Sequence, residues 1–251
     1  MKRFTGKVAV VTGAARGMGK ACSRALALEG ARVALVDLSS SGIKETAIEI
    51  NTEKGEAISI VCDISKSDQV EDTVAAILEA FGTVHILVNN AGVLRTTSPL
   101  EHITEQEWDL ILNVNLKGAF LFSRAVLPIM RKNQHGRIVN ISSSAGRSTS
   151  ELGGAHYTVS KAGILGLTRH TAREYGAHGI TVNSICPGLV ETPMIREQAS
   201  QAKLDHWLGQ IPLGRFADPQ EEADLVLFLA SDQARYITGA TIDFNGGSLL
   251  L

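Results

Sequence analysis

Short apolar runs alternate with longer amphipathic stretches from one end of the chain to the other. Residues 7–11 are apolar on both faces, the pattern of a strand covered by helices on both sides. Residues 17–30 read as a helix and 32–37 as a second strand, followed by a helix over 42–53 and a third strand over 57–62. Val70, Val74, Ile77 and Leu78 recur at three-to-four spacing and predict a helix over 67–81. A fourth strand at 85–88 ends abruptly in Asn89-Asn90-Ala91-Gly92. Thr104 is expected to cap the next helix, with Glu107 completing a capping box, and the helical pattern runs on to about Lys132. The rhythm continues with a strand at 136–141, a helix at 154–175, a strand at 180–185, a helix at 219–230 and a short strand at 240–244. Such alternation predicts βαβ units and an α/β fold with a mostly parallel sheet, in one domain over 1–251. Between the sixth strand and the helix at Pro219, residues 191–216 are weakly patterned. A long connection of that kind beside a site predicts a substrate lid.

Composition narrows the class. Apolar residues are 44% and charged residues 20% of 251, values of a globular domain. A net charge of −2 without basic runs argues against a nucleic-acid partner. Cys22, Cys62 and Cys186 show no C-x-x-C spacing, so buried free thiols are expected rather than disulfides or a metal site. A strand begins almost at the N-terminus with no signal region before it, and no apolar run approaches the roughly 18 residues of a membrane span. A cytoplasmic protein without a membrane partner is the expectation.

Gly13, Arg16, Gly17, Met18 and Gly19 lie between the first strand and the first helix. Glycines there allow a tight turn and close approach of backbone to a pyrophosphate, whose charge the helix N-terminus favours. The spacing is G-x-x-x-G-x-G, and three glycines would also serve a purely structural turn. The second strand ends in Asp37, a carboxylate able to accept hydrogen bonds from ribose hydroxyls and to repel a 2′-phosphate. NAD is therefore favoured over NADP, although Arg16 is a cation that could pair with a 2′-phosphate. Asp63, after the third strand, can reach an adenine amino group or cap the following helix.

Tyr157 and Lys161 stand one turn apart on one helix face. A free tyrosine has a pKa of about 10; a neighbouring ammonium favours the phenolate and makes a general base, or a general acid in reverse. Ser142-Ser143-Ser144 ends the fifth strand, at the sheet edge where ligands sit in open α/β folds.

Taken together, Thr12-Gly13, Gly17, Gly19, Asp37, Asp63, Asn89-Asn90-Ala91-Gly92, Asn115, Ser143, Tyr157-x-x-x-Lys161, Pro187-Gly188 and Thr192 resemble the short-chain dehydrogenase/reductase family over essentially the whole chain. The resemblance implies a single-domain doubly wound (Rossmann) parallel sheet with helices on both faces and a catalytic tetrad of Asn115, Ser143, Tyr157 and Lys161, with Lys161 also on the nicotinamide ribose and the Asn115 carbonyl holding a relay water. It further implies that Asn90 and Gly92 line the ribose and that Thr192, with backbone from Pro187, Gly188 and Val190, fixes the carboxamide. A homotetramer, with 115–132 and 154–175 between subunits, is implied as well. In many members the serine stands one position nearer the tyrosine, where this chain has Ser144; Ser143 is preferred because Gly146 follows it at the family's spacing.

The expected activity is hydride transfer between NAD(H) and a small secondary alcohol or ketone. The alternative is an NADPH-dependent 3-oxoacyl carrier-protein reductase, a type that usually lacks an acid at the Asp37 position. A non-catalytic nicotinamide-binding regulator on this fold is expected to have lost Ser143, Tyr157 or Lys161, and all three are present. His156 points about 100° away from Tyr157 on a helix and is not expected to touch substrate. Trp207, Leu208 and Phe216 are candidates for an apolar substrate wall, and Arg95, Arg147 and Glu151 for polar contacts at the same end of the sheet.

Overall fold

The structure is a computed structural model that describes residues 2–150, 152–198 and 200–251; Glu151, one of the loop residues singled out above, lies outside them. Seven strands, β1 (Val8–Thr12), β2 (Arg32–Asp37), β3 (Glu56–Val61), β4 (Ile86–Asn89), β5 (Gly136–Ile141), β6 (Ile180–Pro187) and β7 (Thr241–Phe244), form one sheet in the order β3-β2-β1-β4-β5-β6-β7. Every neighbouring pair is parallel. The fold is the doubly wound α/β sheet the sequence predicts.

Helices α1 (Gly17–Leu28), α2 (Ser40–Thr52), α3 (Ser67–Phe81), α4 (Glu105–Leu112), α5 (Gly118–Lys132), α6 (Ala155–Tyr175) and α9 (Pro219–Ala230) cover the sheet. In β1, Ala9 and Val11 enter the core beneath α1, α2 and α9, while Val8 and Val10 enter the opposite core beneath α3 and α5. A strand that must fill two cores has no place for a polar alternation. Burying such side chains contributes roughly 1.5–3 kcal/mol each. The chain winds outward in both directions from between β1 and β4, which opens a crevice at the C-terminal strand ends.

Three features depart from the sequence expectation. The helical stretch expected from Thr104 to about Lys132 is one unit, Glu105–Lys132, but a wide π-type turn at Asn113–Lys117 interrupts it between α4 and α5. That unit is long and apolar enough to cross a membrane, although no uninterrupted apolar run marks it in the sequence; half of its apolar window is buried inside this fold. Residues 191–216 are not structureless: they hold α7 (Pro193–Gln198) and α8 (Gln201–Leu208), with Leu204 and Trp207 buried one turn apart. Their two ends meet where Val190 pairs with Ala217 in a parallel bridge, the Glu191 N–H donating to the Ala217 carbonyl at 2.8 Å. Finally, the capping box at α4 is only half formed. Thr104 accepts from the Glu107 N–H at 3.2 Å, but the Glu107 carboxylate turns to Thr97 and His156. Among the described residues all three cysteines are buried and free.

Candidate active site

The turn from β1 into α1 carries Gly13, Arg16, Gly17, Met18 and Gly19. A Cβ on Gly19 would overlap the Gly13 carbonyl oxygen, so the turn closes this tightly only with glycine there. Arg16, the N-cap of α1, makes no side-chain capping bond, and the first helical turn has no acidic residue. The helix N-terminus is thus left to an external anion, the arrangement a pyrophosphate requires. Asp37 sits at the end of β2 with one oxygen accepting from Ala15 N at 3.1 Å and the other from Ser39 N at 2.9 Å. Its carboxylate is held beside the phosphate turn. The Arg16 guanidinium is engaged elsewhere, pairing with both carboxylate oxygens of Glu197 on α7 at 2.6 and 3.2 Å. Asp63 does not cap α3, whose N-cap is Lys66; its Oδ1 instead accepts from the backbone and hydroxyl of Ser65 at 3.0 and 2.7 Å.

Farther along the crevice, Met18, Asn90, Gly92, Ser143, Tyr157, Lys161, Pro187, Gly188, Val190 and Thr192 line one cleft. Asn90 donates from Nδ2 to the carbonyls of Thr12 and Gly13 at 2.9 and 3.1 Å, which ties the end of β4 to the phosphate turn. Its Oδ1 is buried without a protein partner, as expected of an atom kept for a ligand. The donor turn, the carboxylate and this orphaned acceptor fit a dinucleotide.

Lys161 is 5% exposed and donates from Nζ to the Ile141 carbonyl at 2.9 Å. Burial pulls its pKa down to about 8, with the negative charge of Glu222 opposing. Its ammonium lies 5.8 Å from the Tyr157 ring centre. Burial also raises the Tyr157 phenol above its ordinary value, while a hydrogen bond from Ser143 works in the opposite direction. Without a dinucleotide, burial therefore favours the protonated phenol. Ser143 and Ser144 diverge. Ser143 lines the cleft with Tyr157 and accepts at its hydroxyl from Ala145 N at 3.1 Å, whereas the Ser144 hydroxyl donates to the Pro187 carbonyl at 3.1 Å.

Asn115 is buried in the wide turn between α4 and α5. Its side chain accepts from Val93 N at 2.7 Å and donates to Val93 O at 2.9 Å and to Ser160 Oγ at 3.2 Å. Ser160 in turn donates to the Tyr157 carbonyl at 2.8 Å, so Asn115 links the loop after β4 to the helix that carries the tyrosine.

A second cavity of about 230 Å³ adjoins the first through Ser143, Pro187 and Gly188. Trp207, Gln210 and Ile211 form part of its wall, with Leu152, Ser248 and Leu249 among the other lining residues. Of the three apolar candidates, only Trp207 lies here; Leu208 and Phe216 line a separate cleft with Glu191 and Arg196. Arg147 pairs with Asp243 at 3.1 Å and Arg95 donates to the Leu94 carbonyl at 3.0 Å. The residue that sequence reasoning set aside is His156. It is fully buried at the start of α6 and bonded to the Tyr157 backbone, a role no residue spacing announces.

A family model described as enoyl-(acyl carrier protein) reductase matches residues 13–248. The 3-oxoacyl-(acyl-carrier-protein) reductase FabG of Thermotoga maritima is 39% identical over 248 residues, 99% of this chain and 100% of that protein. The enzyme of the same name from Staphylococcus epidermidis is 41% identical over 242 residues, 96% of this chain and 98% of that one. Among solved structures, levodione reductase superposes with a TM-score of 0.94 at 36% identity, covering 98% of each chain.

Proposed function

Because this chain belongs to the short-chain dehydrogenase/reductase family, we propose that it moves a hydride between a nicotinamide dinucleotide and a secondary alcohol or ketone, with Tyr157 moving the proton. The observation that carries this reading is the convergence of Ser143, Tyr157 and Lys161 with Asn90, Gly92 and Thr192 on one cleft at the C-terminal strand ends. The dinucleotide, when bound, supplies or accepts the hydride. Ser143 holds the substrate oxygen and Tyr157 gives it a proton during reduction. A phenol kept protonated by burial is already in the form that carbonyl reduction needs. Oxidation requires the phenolate, which the Ser143 hydrogen bond and a positively charged oxidised ring both favour. Separate replacement of the serines tests the assignment: Ser143→Ala lowers kcat by about 10²-fold, in the range of a lost acid–base or orienting partner, while Ser144→Ala stays close to wild type. The opposite pattern moves the role to Ser144.

Asp37 supports NAD(H) as the dinucleotide. Its carboxylate is fixed beside the phosphate turn by two backbone N–H groups, where it repels a 2′-phosphate, and Arg16 is already paired with Glu197. For the substrate, the names of the relatives weigh toward a second reading, a 3-oxoacyl group on acyl carrier protein, over a free small alcohol. NADPH would be the dinucleotide in that case, with Arg16 released to its 2′-phosphate. One panel separates the readings: NADH and NADPH, each with neutral ketones and with a 3-oxoacyl thioester on carrier protein. We expect kcat/KM with NADH to exceed that with NADPH by about tenfold or more, since one well-placed charge repulsion of 1.4 kcal/mol gives that factor. Asp37→Ser should erode the preference. Turnover confined to NADPH and the carrier-bound substrate replaces the first reading with the second.

A further inference from the structure

Tyr157 is the third residue of α6, a position whose backbone N–H has no regular partner inside a helix. The N-cap of α6 is Gly154, which has no side chain to offer. In its place the imidazole of His156 folds back, so that the Tyr157 N–H lies 2.8 Å from His156 Nδ1 and 3.0 Å from the Gly154 carbonyl. The other ring nitrogen, Nε2, lies 3.0 Å from Glu107 Oε1 on α4, and Thr97 donates its hydroxyl to the same oxygen at 2.6 Å. The hydrogen bond with His156, followed by that with Thr97, holds the Glu107 carboxyl below its usual range. An imidazole accepting at Nδ1 carries its proton on Nε2, the nitrogen that faces the carboxylate; both contacts are satisfied by one neutral tautomer. Space for this packing comes from Gly154, where a Cβ would sit 2.9 Å from His156 Cε1. Glu107 reaches the ring only because it forgoes the capping contact to Thr104.

We propose that Glu107 and His156 are positioning residues for Tyr157, an acid–imidazole pair that fixes the first turn of α6 and with it the direction of the phenol. The inference rests on the reading of Tyr157 as the proton-transfer group. A phenol oxygen stands far from its own backbone, so a small rotation of the first helical turn becomes a large displacement at the reacting atom. A displacement near 1 Å costs on the order of 10²-fold in rate. Lys161 and Ser143 approach the tyrosine from its own helix and from β5; the Glu107–His156 pair ties it to α4, a third direction.

The test uses the full-length chain, with whichever substrate of the panel above it turns over. His156→Leu fills the same space without an acceptor, and His156→Asn places a carbonyl oxygen where Nδ1 now lies. His156→Leu is expected to lower kcat by about 10- to 100-fold, with KM and dinucleotide affinity within about threefold of wild type. His156→Asn is expected to recover most of that loss. Glu107→Ala should lower kcat less, and adding it to His156→Leu should cost nothing further, because the two act as one unit. Ultraviolet-difference titration of the protein without dinucleotide, with Tyr157→Phe as the blank, gives a second readout: the Tyr157 phenol titrates closer to the ordinary tyrosine value in His156→Leu. The inference is overturned if His156→Leu and His156→Asn turn over alike, whether at the wild-type rate or equally slowly, or if the Leu variant's loss falls on dinucleotide affinity with the phenol titration unmoved. Tyr157→Phe run in the same assay keeps the two levels apart. Full turnover there removes the reading of Tyr157 itself, whereas an inactive Tyr157→Phe beside a fully active His156→Leu removes only the positioning role.

Discussion

Replacing Tyr157 by Phe is expected to lower kcat by about 10³-fold, within the range that a positioned general acid contributes, and to leave dinucleotide affinity within about threefold of wild type. The substitution removes one oxygen. The ring, which lies against Gly153, stays, as do the Lys161 bond to the Ile141 carbonyl and the Asn90 contacts that shape the cleft. Hydride transfer then has to proceed with the substrate oxygen left as an uncompensated alkoxide, or protonated by a water with no fixed place. Steady-state rates combined with a dinucleotide binding titration check the result. Turnover within about tenfold of wild type, with folding intact, removes Tyr157 from the chemistry.

Glu222 carries the second large effect, on stability rather than rate. Its side chain on α9 is fully buried, and neither carboxylate oxygen has a hydrogen-bond partner. Burial lifts its pKa from 4.5 to about 8, the positive charge of Lys161 opposing. Between those values the folded protein holds a proton that the unfolded chain has released, so this group's contribution to stability declines as pH rises through the window and levels off above about pH 8. His85 works in the other direction at lower pH. Burial first, then the charge of Lys7, lowers its pKa from 6.5 to about 4, so stability is lost as pH falls from 6.5 toward 4. The two slopes oppose each other below pH 6.5, and Lys161, whose pKa burial lowers to about 8, opposes the Glu222 slope as pH nears 8, so the Glu222 effect is read between pH 6.5 and about 7.5. At 1.36 kcal/mol for each pH unit, this interval corresponds to a loss of about 1 kcal/mol. Urea unfolding across that range should show the decline in wild type and a flat profile in Glu222→Gln. Glu222→Leu, which replaces the buried carboxyl by hydrocarbon, should be more stable than wild type at pH 8. A wild-type profile that is already flat, or equally steep in Glu222→Gln, contradicts the account.

The sheet was legible because burial on both faces leaves no room for polar residues. The interval 32–37 read from sequence is β2 to the residue, and β1 differs by one position at each end. The glycine turn after β1 and the Tyr157–Lys161 spacing were legible because each is a short local stretch of chain, where spacing translates directly into geometry. Contacts made across elements were not. Glu107 three residues after Thr104 has the signature of a capping box, yet its carboxylate is drawn toward a buried imidazole from a helix 49 residues away. His156 was set aside on its direction along the helix axis, an argument that holds for contact with substrate but is silent about a side chain bonding back to its neighbour's backbone. Helices α7 and α8 are too short for periodicity to rise above chance, and they are held in place by a few buried side chains, Leu204 and Trp207 among them. The upward push on the phenol pKa is a desolvation effect, which no spacing in the sequence reports.

The bridge between Val190 and Ala217 separates two jobs that are interleaved in one polypeptide. The excursion between those residues closes at one backbone junction, and doubling the length of a closed loop costs only about 0.6 kcal/mol, so the strands below constrain its length only weakly. Trp207, Gln210 and Ile211, which wall the second cavity, belong to this excursion, while Ser143, Tyr157 and Lys161 stand on the sheet and helix scaffold outside it. The architecture is therefore modular: this excursion can be lengthened, shortened or exchanged like a cassette while Ser143, Tyr157 and Lys161 stay in register.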